Sequence, residues 1–423
     1  MSAPRDAGSS GEVPASAPTP PAAGDDPPGT GRVLAVVALS LFSTSLFMRA
    51  IDPVIPQIAA GFQMDVRTVA LLSTAYALPY ALAQPVLGSL GDTVGKVRIL
   101  KICLALSIMA GFLGAVAPDF SVLFGSRVLV GMVSGGIFPI ALAIGGDLVP
   151  VHKRQIAFSR LLAAAMLGNV LGSPLAGVIA DTVGWRGVFA LVASFAVVAL
   201  VAVQIGFRGL VTDVRTRFSL ATVAAGYRTV FRNPLAKICF SAVFLEGAFL
   251  HGLFPFVAAL LAARGEERAA IAGVVIAGFA IGGFLYSGLI SWLLRWFGEG
   301  GLMRGGGALM GLGVAAVTLG HAWPFEFMIF VVIGLGFYSL HGVIQIYVTE
   351  LAPTARGTAV ALHGCSFFLG QAVGPVLYRG GFDHLGVAAT SATAGVVLLA
   401  TGLVCAAWLR RPARPEPRTG RTG

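Results

Sequence analysis

Gly88–Leu100 reads GSLGDTVGKVRIL and separates two apolar runs, 68–88 and 99–117. Three glycines, Asp92 and the cations Lys96 and Arg98, with Lys101 just beyond, fill a gap too short to fold alone. Glycine takes backbone conformations closed to other residues, so such a gap suits a tight turn between two long helices. The decisive question is what solvent those helices occupy.

Composition answers it. The chain has 423 residues, 56% hydrophobic and 11% charged, with a mean hydropathy of +0.85. Soluble domains carry about 25% charged residues. This much apolar surface cannot be hidden inside a water-soluble globule, so the expected solvent is a lipid bilayer, where a crossing helix needs ~20 mostly apolar residues. Twelve runs meet that need: 33–55, 68–88, 99–117, 121–147, 156–180, 186–207, 235–262, 269–294, 304–320, 325–348, 357–378 and 386–409. Prolines 79, 85, 139, 174 and 375 fall inside runs, which bilayer helices tolerate where neighbours satisfy the freed backbone. Residues 1–31 are rich in Pro, Ala, Gly and Ser and have no basic start leading into an apolar core; they read as a disordered tail, not a signal peptide.

An even number of crossings puts both tails on one side. With that side cytoplasmic, inner loops hold 15 Lys and Arg against 5 in outer loops, tails excluded, which sets the orientation. The formal charge of +10 is therefore mostly topology, and nucleic-acid binding has no support. Cys103, Cys239, Cys365 and Cys405 lie inside apolar runs and read as core residues; no metal-ligand spacing occurs. The expected location is a bacterial inner membrane, with both ends cytoplasmic and the chain working as a monomer.

The polar segment 208–234 divides the chain into an N-terminal six-helix bundle (32–207) and a C-terminal one (235–409), with a basic tail at 410–423. The halves repeat one another. Asp147-Leu-Val-Pro150, Arg154 and Gly168-x-x-x-Gly172 are matched by Glu350-Leu-Ala-Pro353, Arg356 and Gly370-x-x-x-Gly374, the acids 203 and the leading glycines 202 residues apart. The fold class expected is an all-α membrane protein of twelve helices in two pseudo-symmetric six-helix bundles, an architecture that secondary transporters rock around a central site.

On these residues the chain resembles the major facilitator superfamily. Gly88-x-Leu90-x-Asp92-x-x-Gly95-Lys96-x-Arg98 is similar to that family's loop between helices 2 and 3, with a worn second copy at Gly288, Arg295 and Gly298. Arg127 with Gly131, Pro53-Val54-Ile55-Pro56 and Gly184-Trp185-Arg186 look like further family motifs. Gly168, Gly172, Pro174 and Gly177 resemble the helix-5 motif of the twelve-helix drug:proton antiporters, except that Ser173 stands where those have Gly directly before Pro. The resemblance implies that the loop is a cytoplasmic latch. Asp92 would cap a helix of the other half. Lys96 and Arg98 would pair with Asp147 or Glu350, near Arg154 and Arg356, when the protein opens outward.

Charges inside lipid are costly and mark candidate sites. Glu246 lies ten residues past Ala236, about 15 Å along a helix and so near the midplane of a ~30 Å core. It reads as a proton carrier, or else as a glutamate bonded to a neighbouring helix. Asp52 falls near the outer end of the first run, and Arg49 three positions earlier shares its face and is placed to pair with it. Arg127 is six residues into the fourth run; Asp52 is its expected partner in one conformation, with snorkelling to the interface as the alternative. Tyr76, Tyr80 and Gln84 form one helix stripe and Tyr338, His341 and Gln345 another, either lining a cavity or bonding neighbouring helices. His251 and His363 read as packing histidines.

No nucleophile–base pair, metal cluster or phosphate loop supports an enzyme, and Gly305–Gly307 lacks the lysine pattern of an ATP-binding loop. The function expected is a proton-coupled secondary transporter, exporting small organic molecules by alternating access with the proton gradient as its driving force and no cofactor. The alternative is a proton symporter importing a sugar or an organic acid.

Overall fold

Backbone groups in hydrocarbon have no water to bond, so each crossing segment must satisfy itself as a helix. The computed structural model describes residues 30–149, 153–208, 220–320 and 322–409, with side chains 88, 89, 92, 155 and 220–223 left out. Among the described residues there is no strand. The terminal tails, residues 209–219 of the linker and the side chains of Gly88 and Asp92 lie outside the described residues.

Helix α1 spans Thr30–Arg49 and runs on through a 3-10 turn, Asp52–Val54, into Ile55–Phe62. Then come α2 (Val66–Val69 and Leu71–Val94), α3 (Lys96–Ala115), α4 (Phe120–Leu148), α5 (Arg154–Val183) and α6 (Trp185–Gly206). A linker helix, Leu220–Phe231, precedes the second half. Helix α7 is built from four pieces: Leu235–Leu245, a π turn Glu246–Leu250, a 3-10 stretch His251–Phe256, and Val257–Ala262. Ala269–Ala316 is divided at Gly298, with α8 before it and α9 after. The last three are α10 (Trp323–Glu350), α11 (Arg356–His384) and α12 (Val387–Trp408).

Among the described residues, eleven helices are long and apolar enough to cross a membrane, and one of them, Ala269–Leu319, has 51 residues. At 1.5 Å per residue that is about 76 Å, more than twice a bilayer core. Gly298 breaks it at φ +62° and ψ 177°, so twelve crossings stand. The boundary residues of the α2–α3 and α8–α9 turns, Gly95 (φ +113°) and Gly298, are 203 apart. Those of the α5–α6 and α11–α12 turns, Gly184 (φ +88°) and Gly386 (φ +82°), are 202 apart. Only glycine enters this region freely, so the same chain reversal was written twice.

The duplication also sets how helices touch. A Cβ on Gly168 of α5 would meet the Phe42 carbonyl of α1 at 2.4 Å, and one on Gly370 of α11 the Phe244 carbonyl of α7 at 2.1 Å. Backbones this close leave no room for a side chain, and small residues are what permit such contact in lipid. The ends of α1 and α12 that bear the chain termini define a terminal face. The turns at 63–65, 184 and 263–268 define the opposite, distal face.

Gly370→Val is therefore expected to lower the melting temperature of the purified protein, on the scale of overpacking, about 1–3 kcal/mol or more. Gly288→Ala, which meets nothing within 4 Å, should leave it unchanged. A Gly370→Val protein melting like the parent would contradict the α7–α11 contact.

Candidate functional site

Two polar clusters sit where the halves meet, each at a broken helix. In α1, Pro53 removes a backbone donor, and the carbonyls of the preceding turn need other partners. Arg127 of α4 supplies one: Nη1 donates to the Phe47 carbonyl at 3.2 Å and Nε to the Leu72 carbonyl of α2 at 3.5 Å. Its guanidinium lies 4.6 Å from the Tyr76 ring centroid. Ser173 of α5 donates to the Arg49 carbonyl at 2.8 Å. The serine that departs from the resembled antiporter motif thus caps the broken helix beside it.

Arg49 and Asp52 pair at 3.6 Å, and Ser73 Oγ donates to Asp52 Oδ1 at 3.2 Å. Asp52 is buried, not placed at an aqueous boundary. The Arg127–Asp52 pair expected in one conformation is not formed in this one. Arg127 is only 2% exposed and binds carbonyls and a tyrosine face, which also excludes snorkelling.

In α7 the break falls at Glu246. A π turn widens the helix by one residue and is frequent at functional sites. The Pro255 ring follows nine residues on. Glu246 is completely buried, and its Oε2 lies 2.7 Å from Nδ1 of His341 on α10. Either Nδ1–H donates to a carboxylate, or a protonated Glu246 donates to Nδ1. The contact holds one shared proton in both arrangements. His363 of α11 stands next, its ring centroid 4.9 Å from that of His341. Phe337 stacks on His341 at 4.6 Å, and Phe367 meets it at 5.3 Å. His251 packs edge-on against Phe337 and Phe367.

Phe254 joins the clusters. The Arg49 guanidinium lies 4.7 Å from its ring centroid, and His251 stacks on it at 5.0 Å. Arg49 and His251 are 202 residues apart, as are Pro53 and Pro255. The two breaks are copies of one feature that meet across the seam. On α2, Tyr76 and Tyr80 stack at 5.7 Å, and Tyr80 meets Phe368 of α11 at 4.1 Å. Gln84 reaches Gly364 of α11.

Other expected residues fall elsewhere. Tyr338 packs against Gly283 of α8 and Phe279, while Gln345 is exposed and belongs to neither cluster. Lys96 pairs with Asp147 at 2.6 Å; this bond joins α3 to α4 within one half, in a structure whose distal seam is closed, rather than crossing between halves in an outward-open one. Arg154 donates to the Val149 carbonyl at 3.0 Å. Leu90, Arg98, Glu350 and Arg356 are exposed. Gly172 and Gly177 follow Gly168 along α5. Gly172 lies against α1 and Gly177 against the Ala269 carbonyl of the other half, where Pro174 also meets Gly273. His363, read as packing, joins the Glu246 cluster, and Phe337, Phe367, Ser73 and Ser173 were missed. The 202-residue offset was the available signal for His251; nothing comparable pointed to His363.

A family model described as Major Facilitator Superfamily matches residues 37–354 and 268–423. The chain is 28% identical to the uncharacterized MFS-type transporter YfhI of Bacillus subtilis over 53% of its own length and 62% of that relative, so it spans under two thirds of it. It is 23% identical to multidrug resistance protein 1 of the same organism, over 81% of the chain and 88% of the relative. Among solved structures, a bacterial homologue of the human lysosomal transporter Spinster, inward-facing and unoccupied, aligns at a TM-score of 0.67 and 19% identity, covering 90% of this chain and 96% of that one.

Arg127→Ala is expected to destabilise the purified protein in detergent unfolding by about 1–3 kcal/mol for each carbonyl left without a donor. Arg127→Lys should recover part of that loss, since an ammonium keeps a donor but loses the planar fork. An alanine variant as stable as the parent would contradict the capping geometry.

Proposed function

The chain belongs to the major facilitator superfamily, and on that premise we propose that it is a proton-driven exporter of small organic, drug-like molecules. It is a transporter and not an enzyme. The observation that carries the finer reading is the Glu246–His341 contact: a fully buried carboxyl bonded at 2.7 Å to a histidine, at the break in α7. A buried carboxyl that shares one proton with a histidine is suited to carry it.

In the proposed cycle a proton on Glu246 cancels a charge inside the seam and changes its bond to His341. The two end states then differ in stability, and the population moves between them. A chain of aromatic rings leads away from the cluster: Phe337 and Phe367 on His341, then Phe368, Tyr80 and Tyr76. Such rings stack flat apolar molecules and attract cations through their faces. Asp52 is engaged by Arg49 and serves as the secondary candidate. The similarity to a multidrug resistance protein supports export. The terminal face is taken as cytoplasmic from the loop charges, with the bilayer and protons as the other partners and the monomer as the working unit. Proton-driven import of a sugar or organic acid would use the same carboxyl, but aromatic carbon serves a polyhydroxy substrate less well.

Purified protein in liposomes with an imposed pH gradient tests this. Ethidium, sugars and organic acids are offered in turn. Ethidium is expected to move uphill in exchange for protons and to stop when a protonophore collapses the gradient. Sugar or acid moving with protons would favour the import reading, and no coupled movement of any solute would overturn both.

A further inference from the structure

The distal face carries a second duplicated feature outside the central clusters. Asp181 lies in the last turn of α5 and Asp383 in the last turn of α11, 202 residues apart. Each reaches across the seam to the first turn of a helix in the other half. Asp181 Oδ1 accepts from the Ala269 backbone N–H at 3.0 Å and Oδ2 from Ala270 N–H at 2.9 Å, at the start of α8. Gln57 Nε2 adds a bond to Oδ1 at 3.3 Å. Asp383 pairs with Arg67, in the first turn of α2. Arg67 and Ala269 are again 202 apart, so the two contacts are copies of one another.

The copies differ for a physical reason. Helix α2 caps itself: Asp65 accepts from Thr68 N–H. Its N-terminal donors are partly satisfied, so the distant acid takes the Arg67 side chain instead. Helix α8 has no cap of its own, because Arg268 stands at its N-cap with extended backbone and makes no side-chain cap bond. The Arg268 guanidinium is held by Glu266, at 2.7 and 2.6 Å, and those bonds hold the Glu266 carboxyl below its usual range. Asp181 is left with the backbone. Two orphan donors and the positive end of the helix dipole receive a carboxylate, and it comes from the opposite half. One turn earlier, Gly177 lets α5 touch the Ala269 carbonyl.

We propose that Asp181 and Asp383 are duplicated positioning residues for the transport cycle: they hold the distal face shut, and opening it strips α8 of a cap that the other half supplies. The two are unequal. Both acids are exposed, but Asp383 meets a side chain in an ion pair, which contributes little at a surface, whereas Asp181 takes two backbone donors that α8 leaves uncapped. The Asp181 cap is the main clasp. The inference rests on alternating access but on neither the proton site nor the substrate.

The test uses the full-length protein in liposomes with the native cysteines replaced. Spin labels are placed at Val183 and Leu385, exposed residues beside the two acids, and the distance between them is read by electron resonance. Asp181→Ala is expected to raise the ratio of long to short distances about five-fold, and Asp383→Ala about two-fold. Asp181→Asn should fall between the parent and Asp181→Ala, since its amide keeps one acceptor for α8 but loses the second acceptor and the charge. Exchanging Arg67→Asp with Asp383→Arg should restore the parent ratio. Arg268→Ser, which gives α8 a cap of its own without touching Asp181, should also favour the long distance. A parent that opens while Asp181→Ala and Arg268→Ser leave the ratio unmoved overturns this inference alone. A distance that never lengthens in any variant overturns the alternating-access reading and the inference together.

Discussion

Glu246 is a carboxyl buried completely inside the protein, and the arrangement of the C-terminal half follows from how it is held. A charge at that depth needs a partner from another helix, and His341 is that partner at 2.7 Å. Reaching it requires α7 to leave regular α geometry at Glu246, through the π turn and the 3-10 stretch. That irregular backbone is tolerable in a membrane only where protein surrounds it. Here α10 and α11 do so, and the Tyr378 hydroxyl donates to the freed Phe249 carbonyl at 2.7 Å.

The same device, copied by duplication, organises the other half. Pro53 interrupts α1 as Pro255 interrupts α7, and Arg127 and Ser173 cap the carbonyls that the α1 break exposes. The copies have diverged in chemistry. Where one half keeps Arg49 against Asp52, the other has His251 against Phe254, and the cation of the first rests on the ring of the second. On the terminal face, Lys96–Asp147 ties α3 to α4, while the corresponding tie between the α8–α9 turn and α10 is Tyr347 to Glu299, at 3.1 Å. Backbone geometry has been kept where side chains have changed, because turns and close approaches bind both halves to one frame.

Much of this was legible in the residues. Apolar run lengths revealed the twelve crossings, and the offset of glycines, prolines and acids revealed the duplication. Arg49 and Asp52 could be paired because positions three apart share a helix face. What was not legible is the register of one helix against another. Periodicity says which side of α4 Arg127 occupies, but not that Phe47 and Leu72 carbonyls wait there. It puts His341 and Gln345 on one stripe, yet only His341 meets a partner. His363 joins Glu246 because α11 slides close to α10 and α7, a packing fact with no local pattern. The extent of the break in α7 was hidden too, since π and 3-10 turns leave no periodic mark in a hydrophobic run.

The central claim is that Glu246 carries the proton. It is tested most directly by comparing two modes of transport in Glu246→Gln protein in liposomes: exchange of labelled for unlabelled ethidium at equal pH, and uphill ethidium movement driven by a pH gradient. The account predicts that exchange persists while gradient-driven movement is lost, because glutamine keeps the bond to His341 but takes up no proton. Gradient-driven movement equal to the parent's would contradict it.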